Sequence, residues 1–232
     1  MDPGTTCWTL IRGASEGSDE HREAFAGLYL PVVRSYLRAR WRDSPLFSEV
    51  EDVVQEVFLE CFRQGGALDR VRMGGPKTSF RRFLHGIVKN LARRTEEKRF
   101  RRRERLVGSG VEAAADRRVD EESLSAIFER AWIRSILDRA VVLLSERAGG
   151  SGEAARRRFE MLQQHFFENR PLREIGQCWN TPSTRIHNEY AKARKEFFVA
   201  LQDVLAFENP GDRQAMKRDL DRIRALVGPG IR

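Results

Sequence analysis

The stretch between residues 50 and 62 has the most regular apolar spacing in the sequence, and it constrains the fold more than any other feature. Its apolar residues recur at steps of three and four positions, which is the spacing of one face of an α-helix. They are Val50, Val53, Val54, Val57, Phe58, Cys61 and Phe62. The opposite face is mostly acidic and also contains Gln55. Its acidic residues are Glu51, Asp52, Glu56 and Glu60, and Glu49 directly precedes the stretch. This pattern predicts an amphipathic helix with an acidic outer surface.

Similar apolar stripes on either side of this helix predict an all-α fold. One stripe runs over residues 25–41 and contains Pro31, which removes a backbone donor and is expected to kink the helix. Another stripe begins near Ser79 and continues to residue 91. No strand-like alternation competes with these patterns. Residues 5–100 are therefore predicted to form a helical bundle around one shared core.

Residues 122–207 are predicted to form a second helical domain. Two apolar stripes come first, and the glycine-rich segment 148–152 separates them. A short helix is predicted at 172–179, and a longer one follows, with Thr181 as N-cap and Pro182 at its first position. A short helix, a tight turn and a longer helix make a helix-turn-helix, whose second helix can enter the major groove of DNA.

Residues 101–121 are predicted to be a basic, flexible linker between the two domains. Gly108-Ser109-Gly110 interrupts regular structure there. The arginines before this break can also lie along nucleic-acid phosphates, because each neutralised phosphate releases about one counterion. They are Arg99, Arg101, Arg102, Arg103 and Arg105. Residues 208–232 are predicted to be a C-terminal tail with one further amphipathic stretch, whose partner the pattern does not identify.

The charge balance indicates a polyanionic partner, and nucleic acid is the first candidate. The 232 residues include 42 Lys and Arg against 34 Asp and Glu, which gives a net charge of +8. No apolar run approaches the roughly 20 residues that span a bilayer. The N-terminus also lacks the basic-then-apolar order of a secretion signal. A cytoplasmic protein without a membrane segment is therefore expected.

The three cysteines do not have the spacing of a metal site or a disulfide framework. Cys7, Cys61 and Cys178 are far apart, with no C-x-x-C and no nearby histidine pair. Cys61 and Cys178 fall on predicted apolar faces, so both are expected to be buried. Neither a cofactor nor a bound metal is expected.

The acidic helix and the helix after it resemble the corresponding helices of bacterial RNA polymerase sigma factors, in the sigma-70 family and of the extracytoplasmic function (ECF) type. The matching segments are EDVVQEVFLECF at 51–62 and SFRRFLHGIVKNLA at 79–92. In that family the acidic helix has a D-x-x-Q-E core, and Asp52, Gln55 and Glu56 stand at its positions. The resemblance implies that these three residues bind the clamp of the largest subunit of core RNA polymerase.

The resemblance gives residues 5–100 the role of a sigma region 2, which binds polymerase, recognises the −10 element and helps to melt DNA. The family's loop equivalent to 64–78 captures a flipped base, and positive charge offsets the few kcal/mol of base extrusion. Asn side chains suit base edges, whereas Lys and Arg neutralise phosphates. The expected −10 contacts are Lys77, Arg81, Arg82, Lys89, Asn90, Arg93 and Arg94, and Arg70 and Arg72 add charge to the loop. Phe83 replaces the family's usual Trp.

The second domain resembles sigma region 4, which reads the −35 element. Residues in register with the family pattern are Glu174, Ile175, Pro182, Ile186, Ala193 and Arg194. The expected −35 contacts are Ser183, Thr184, Arg185, His187, Asn188, Lys192, Arg194 and Lys195. Arg185, His187, Asn188 and Glu189 replace the residues usual at groove-facing positions. An acidic side chain such as Glu189 repels phosphates if it faces them.

The resemblance implies a transcription initiation factor that is not itself an enzyme. Its implied partners are promoter DNA and core RNA polymerase, through the clamp of the largest subunit and the flap of the second largest. An anti-sigma factor is a further candidate partner. The sequence does not identify the promoter or the inducing signal.

Two other functions compete with this interpretation. The first is a stand-alone helix-turn-helix DNA-binding transcriptional regulator whose N-terminal domain dimerises or senses a ligand; it has no need of the acidic helix, so polymerase binding discriminates. The second is a hydrolase or nuclease that uses Glu56 with Glu60 or with Asp52. No histidine or Ser/Cys nucleophile accompanies those acids, and paired carboxylates four residues apart are common on helices.

Overall fold

The computed structural model describes residues 6–63, 65–68, 80–107 and 120–227. In these ranges the chain forms helices joined by short turns, and no β-strand is present. The prediction of an all-α fold is therefore confirmed. Most of the glycine-rich loop predicted at 64–78, and the Gly-Ser-Gly break at 108–110, lie outside the described residues.

The chain divides into two compact units, Thr5–Ser135 and a unit that contains Ile136–Arg232, which are described separately. The first unit contains α1 (Cys7–Ser15), α2 (Asp19–Arg40), a 3-10 turn (Pro45–Glu49), α3 (Val50–Phe62), α4 (Phe80–Val107) and the first half of α5 (Glu121–Gly150). The boundary between the units falls inside α5. The sequence analysis, by contrast, places residues from 122 onward in the second domain.

Side-chain caps explain where the first two helices begin. The Thr6 hydroxyl accepts the backbone N–H of Thr9 at 3.2 Å, and the Thr9 side chain accepts the Thr6 N–H in return, which is a capping box. Ser18 caps α2 by accepting the backbone N–H of His21 at 3.4 Å. The helix then continues through Pro31, the residue at which the sequence predicts a kink.

Aromatic rings from four helices form the core of the first unit. Phe25 of α2 lies edge-on to Phe58 of α3 and Phe80 of α4, with ring centroids 6.0 and 5.7 Å apart. Tyr29 stacks on Trp132 of α5 at 5.3 Å. Each such pair contributes about 0.5–1.5 kcal/mol beyond the burial of its two rings. The predicted core of three helices is therefore completed by the first half of α5.

The second unit contains the second half of α5, α6 (Glu153–Phe166), α7 (Leu172–Cys178), α8 (Ser183–Glu208) and α9 (Arg213–Val227). Its buried side chains form one cluster of Leu144, Leu162, Ala193 and Ala200 and another of Met161, Ile175 and Ile186. The first cluster joins α5, α6 and α8. The second joins α6, α7 and the beginning of α8.

The amphipathic stretch predicted in the tail forms α9 and packs on α8. Ile223 is fully buried, and the guanidinium of Arg224 lies 5.9 Å from the ring centre of Phe198. Asp219 is buried as well and accepts hydrogen bonds from Asn209 at 3.1 Å and Arg222 at 3.0 Å. These contacts satisfy a carboxylate that burial alone destabilises.

The partly buried His85 of α4 gives the first unit a pH-dependent stability. Its ring stacks on Phe128 of α5 at 4.5 Å. Burial, together with the charge of Lys89, holds the pKa of His85 below its ordinary 6.5. The unfolded chain therefore binds a proton at a higher pH than the folded chain does, and folding stability falls as the pH drops below 6.5.

We expect His85→Phe, which keeps an aromatic ring on Phe128 and removes the titration, to lose less stability than the wild type between pH 7.5 and pH 5.5. Urea-unfolding midpoints of both proteins at the two pH values measure this difference. Equal losses in the two proteins would contradict the assignment of this pH dependence to His85.

Candidate functional site

The outer face of α3 presents a short row of polar side chains with one apolar residue. Asp52, Gln55 and Glu56 are exposed, as the sequence predicts. Leu59 follows on the same face and is 70% exposed. These four residues are spaced at three and four positions, so they lie along one stripe of the helix. The sequence analysis did not single out Leu59, although it is the one large apolar residue on the acidic face.

Neighbouring acidic residues are neutralised by arginines, whereas the central three polar residues are not. Arg34 donates two hydrogen bonds of 2.9 and 2.8 Å to the Glu51 carboxylate, and they are the main reason that its pKa lies below the ordinary value. Glu49 pairs with Arg99 at 2.9 Å. Glu60 pairs with Arg63 at 3.0 Å.

Within the described part of the chain, no hydrogen bond or ion pair engages the side chains of Asp52, Gln55 or Glu56. Their donors and acceptors are therefore available to a partner.

The predicted basic face of α4 is only partly assembled as expected. Arg82, Asn90 and Arg94 are exposed, and no partner engages their side chains among the described residues. Arg81 is 7% exposed and pairs with Glu129 of α5 at 3.2 Å. Lys77 lies outside the described residues.

The position of Arg81 follows from helical spacing. It precedes Leu84 by three residues and Val88 by seven, and both of these are fully buried. Arg81 therefore belongs to the buried stripe of α4, and its ion pair with Glu129 helps to offset the cost of burying its charge. This spacing was visible in the sequence, whereas the partner on α5 was not.

Lys89 and Arg93 lie on the outer side of α4, but both are already paired with a carboxylate of the protein itself. The Glu121 carboxylate at the start of α5 lies 3.0 Å from Lys89 and 3.4 Å from Arg93. Arg40 of α2 approaches the same carboxylate at 3.4 Å. Burial raises the pKa of Glu121, but the hydrogen bond from Lys89 and the charge of Arg40 outweigh it, so the pKa lies below its ordinary value.

The turn between α7 and α8 has the close approach expected of a helix-turn-helix. The backbone N–H of Thr181 donates to the Gly176 carbonyl at 2.9 Å. A Cβ atom on Gly176 would lie 3.1 Å from the Ile186 side chain and 3.2 Å from the Thr181 carbonyl. Asn180 has a φ of 47°, in the left-handed region that Asn tolerates better than most residues.

The prediction that Thr181 caps the second helix is wrong. Its hydroxyl donates to the Trp179 carbonyl at 3.0 Å, and α8 begins at Ser183 without a side-chain cap bond. The Thr181 hydroxyl forms a hydrogen bond within the turn instead of capping the helix, because Ser and Thr side chains also bond to nearby backbone carbonyls.

The first turns of α8 present most of the predicted −35 residues to solvent. The exposed ones are Ser183, Thr184, Arg185, His187, Asn188, Lys192 and Lys195. Arg194 is partly buried, and its guanidinium lies 5.8 Å from the ring centre of Tyr190. A surface cleft of 460 Å³ lies beside the exposed residues, lined by α7, the turn and Ser183.

Glu189 does not carry an uncompensated charge on this helix. Lys192 approaches its carboxylate at 2.8 Å, and Arg158 of α6 approaches it at 3.4 Å. The hydrogen bond from Lys192 is the main reason that the pKa of Glu189 lies below its ordinary value. Two internal cations therefore reduce the repulsion that an acidic residue here would exert on DNA phosphates.

The expectation of two buried cysteines is half right. Cys61 is buried, and that burial raises the pKa of its thiol to about 12. Cys178 is exposed and accepts a hydrogen bond from Arg170 at 3.2 Å. The buried residues of the short helix α7 are Ile175 and Gly176, whereas Cys178, at its last position, is exposed.

None of the helices described here is long and apolar enough to cross a membrane. No group of three or more His, Cys, Asp or Glu side chains in these ranges is placed to hold a metal ion.

In comparisons with known proteins, no family model, curated protein or solved structure matches this chain.

The left-handed conformation of Asn180 predicts the effect of substitutions in the turn. We expect Asn180→Val to destabilise the protein by about 1–3 kcal/mol, because a β-branched residue is strained at positive φ. Asn180→Gly is the matched control and is expected to change the free energy of unfolding by less than about 1 kcal/mol. Urea unfolding measures both, and equal losses in the two variants would contradict this account of the turn.

Proposed function

We propose that the protein is a transcription initiation factor that binds core RNA polymerase and directs it to promoters, as sigma factors of the extracytoplasmic function type do. The observation that carries the proposal is the exposed and unpaired set Asp52, Gln55 and Glu56 at the positions of that family's D-x-x-Q-E core. In this role the protein supplies promoter recognition and DNA opening in the cytoplasm, and the polymerase supplies the chemistry. It is not an enzyme and needs no cofactor.

The chemistry of the α3 face supports a basic partner with an apolar strip. Cations outnumber anions in this chain, and Glu49 and Glu51 beside the face are both neutralised by arginines. Asp52 and Glu56 are one helical turn apart and remain unneutralised, so their potentials add. Leu59 continues the stripe with apolar surface that is costly to leave in water. The proposed partner is the clamp of the largest polymerase subunit.

The outer face of α4 supports contact with the −10 element. Arg82 and Arg94 are exposed cations suited to phosphates, and Asn90 between them carries the donor and acceptor that read a base edge. Lys89, Arg93 and Lys77 remain proposed contacts because of the resemblance to the family, although Lys89 and Arg93 hold Glu121 and Lys77 lies outside the described residues. Arg81 is left out of the proposed set, because its guanidinium is buried against Glu129.

The helix-turn-helix supports contact with the −35 element. The residues at the start of α8 are exposed, and a recognition helix contacts base edges with its N-terminal residues. Arg185 and Asn188 are the side chains best suited to guanine and adenine edges, while Lys192 and Lys195 suit phosphates. The flap of the second-largest polymerase subunit and an anti-sigma factor are further proposed partners of the protein.

Charge reversal on α3 tests polymerase binding. We expect Asp52→Lys and Glu56→Lys each to weaken binding to bacterial core RNA polymerase at least about tenfold, since each replaces attraction by repulsion at a steered interface. The measurement is co-elution in size-exclusion chromatography, followed by titration of labelled protein with polymerase.

Glu23→Lys is the matched control for this experiment. Glu23 is an exposed carboxylate of α2 in the same unit, so the variant carries the same change of net charge on a different helix. Equal loss in Glu23→Lys and Glu56→Lys would mean that net charge alone acts. If the wild-type protein fails to co-elute, the stand-alone DNA-binding regulator becomes the better explanation.

Substitutions of two asparagines separate the roles of the two DNA-binding surfaces. We expect Asn90→Ala to change base preference in the −10 element and Asn188→Ala to change it in the −35 element, each by about 1–3 kcal/mol at one position. Arg94→Ala should instead weaken binding to all promoters alike and flatten its salt dependence. Polymerase-dependent binding to a randomised promoter library measures all three, and a shift in the opposite element would reverse the assignments.

A further inference from the structure

Three cations meet at one carboxylate on the face that is proposed to bind DNA. Lys89 and Arg93 of α4 and Arg40 of α2 surround the side chain of Glu121, with N···O distances of 3.0, 3.4 and 3.4 Å. Arg40 is also held by two hydrogen bonds of 2.6 and 2.9 Å to Glu96, so its position does not depend on Glu121. The cluster is therefore an anion site that the protein itself fills.

We propose that this cation cluster binds a phosphate of the −10 DNA, and that Glu121 occupies it as an internal competitor until DNA displaces the carboxylate. The inference rests on the proposed function, and it adds a regulated phosphate site to it. Carboxylates and phosphates are both oxyanions that accept charge-assisted hydrogen bonds from Lys and Arg, so one can replace the other. The Glu121 side chain is 39% exposed, and its buried oxygen, Oε2, is the one that faces Lys89.

The start of α5 does not need the Glu121 contact for its own stability. Asp120 already caps the helix by accepting the backbone N–H groups of Glu122 at 3.1 Å and Ser123 at 3.2 Å. Further along, Phe128 and Trp132 anchor α5 in the aromatic core of the first unit. The carboxylate can therefore leave the cluster while the helix stays in place.

Glu121 blocks the residues that would contact phosphates, Lys89 and Arg93, but not the residue that would contact a base, Asn90. Asn90 follows Lys89 directly on α4 and is exposed, whereas Lys89 and Arg93 are engaged by Glu121. Phosphate contacts supply most of the affinity for DNA and base contacts supply the sequence preference. Glu121 therefore weakens DNA binding by the free protein without blocking Asn90.

The test compares Glu121→Gln with Glu122→Gln. Both variants remove one negative charge at the start of the same helix, but the Glu122 side chain is exposed and contacts no cation in the described part of the chain. The probe is a fluorescein-labelled forked DNA with a mixed-sequence single-stranded arm, and the readout is fluorescence anisotropy at several salt concentrations. Circular dichroism melting of each variant checks that the fold is retained.

We expect Glu121→Gln to bind the forked DNA about threefold to tenfold more tightly than the wild type, because two partly exposed ion pairs no longer compete. The salt dependence should steepen by about one to two counterions. Glu122→Gln should change affinity by less than about twofold, since only distant, screened charge is removed.

A combined variant tests whether the gain in DNA affinity depends on the cation cluster. Adding Lys89→Ala and Arg93→Ala to Glu121→Gln should abolish the gain, because the remaining cation, Arg40, is nearly buried and already paired with Glu96. Equal gains in Glu121→Gln and Glu122→Gln, or a gain that survives loss of Lys89 and Arg93, would overturn the inference.

Polymerase co-elution separates failure of this inference from failure of the proposed function. If the wild-type protein co-elutes with polymerase but Glu121→Gln shows no gain in DNA affinity, only the phosphate site is refuted. A cluster-dependent gain in a protein that does not bind polymerase would keep the phosphate site and refute the initiation factor.

Discussion

Aromatic packing between Phe25, Tyr29, Phe80 and Trp132 holds the first unit together and determines which helix faces stay exposed. Phe25 and Tyr29 fix α2 against Phe80 of α4 and Trp132 of α5. With these rings inside, α3 must turn its acidic row outward and α4 must turn Arg82, Asn90 and Arg94 outward. The two candidate surfaces of this unit, the acidic row of α3 and the basic face of α4, are therefore consequences of one core.

The pairing of charges then determines which of the exposed residues are available. Many cations of this chain bind acidic residues of the same unit, as Arg34 does with Glu51 and Arg158 with Glu189. Asp52 and Glu56 on α3 are exceptions among the described residues, and so are Arg82 and Arg94 on α4. A surface that leaves charges unpaired in a chain so rich in potential partners is suited to binding another molecule.

Local periodicity was sufficient to predict the helices and the outward set Asp52, Gln55 and Glu56, because both depend on spacing within a single helix. It was insufficient for Glu121, whose contacts with Arg40 and Lys89 come from other helices. The spacing of Arg81 from Leu84 and Val88 already placed it on the buried stripe of α4. A buried arginine is expected, however, only when an acidic partner such as Glu129 is known.

Short-range chemistry near the helix-turn-helix limited prediction in a different way. Thr181 was a reasonable helix cap by residue type, yet the turn consumed its hydroxyl at the Trp179 carbonyl. Cys178 fell on an apolar stripe in sequence, but a helix as short as α7 buries only one narrow face. In both cases the residue type allowed two local outcomes, capping or a turn bond for Thr181 and burial or exposure for Cys178, and local geometry decided between them.

The most direct test of the central claim is photo-crosslinking to core RNA polymerase from a benzophenone amino acid at position 59. Leu59 lies at the end of the acidic row and is 70% exposed, so the substitution leaves the core intact. We expect a crosslink to the largest subunit that Asp52→Lys abolishes. A protein that co-elutes with polymerase but crosslinks from position 59 to another subunit, or to none, would contradict the account.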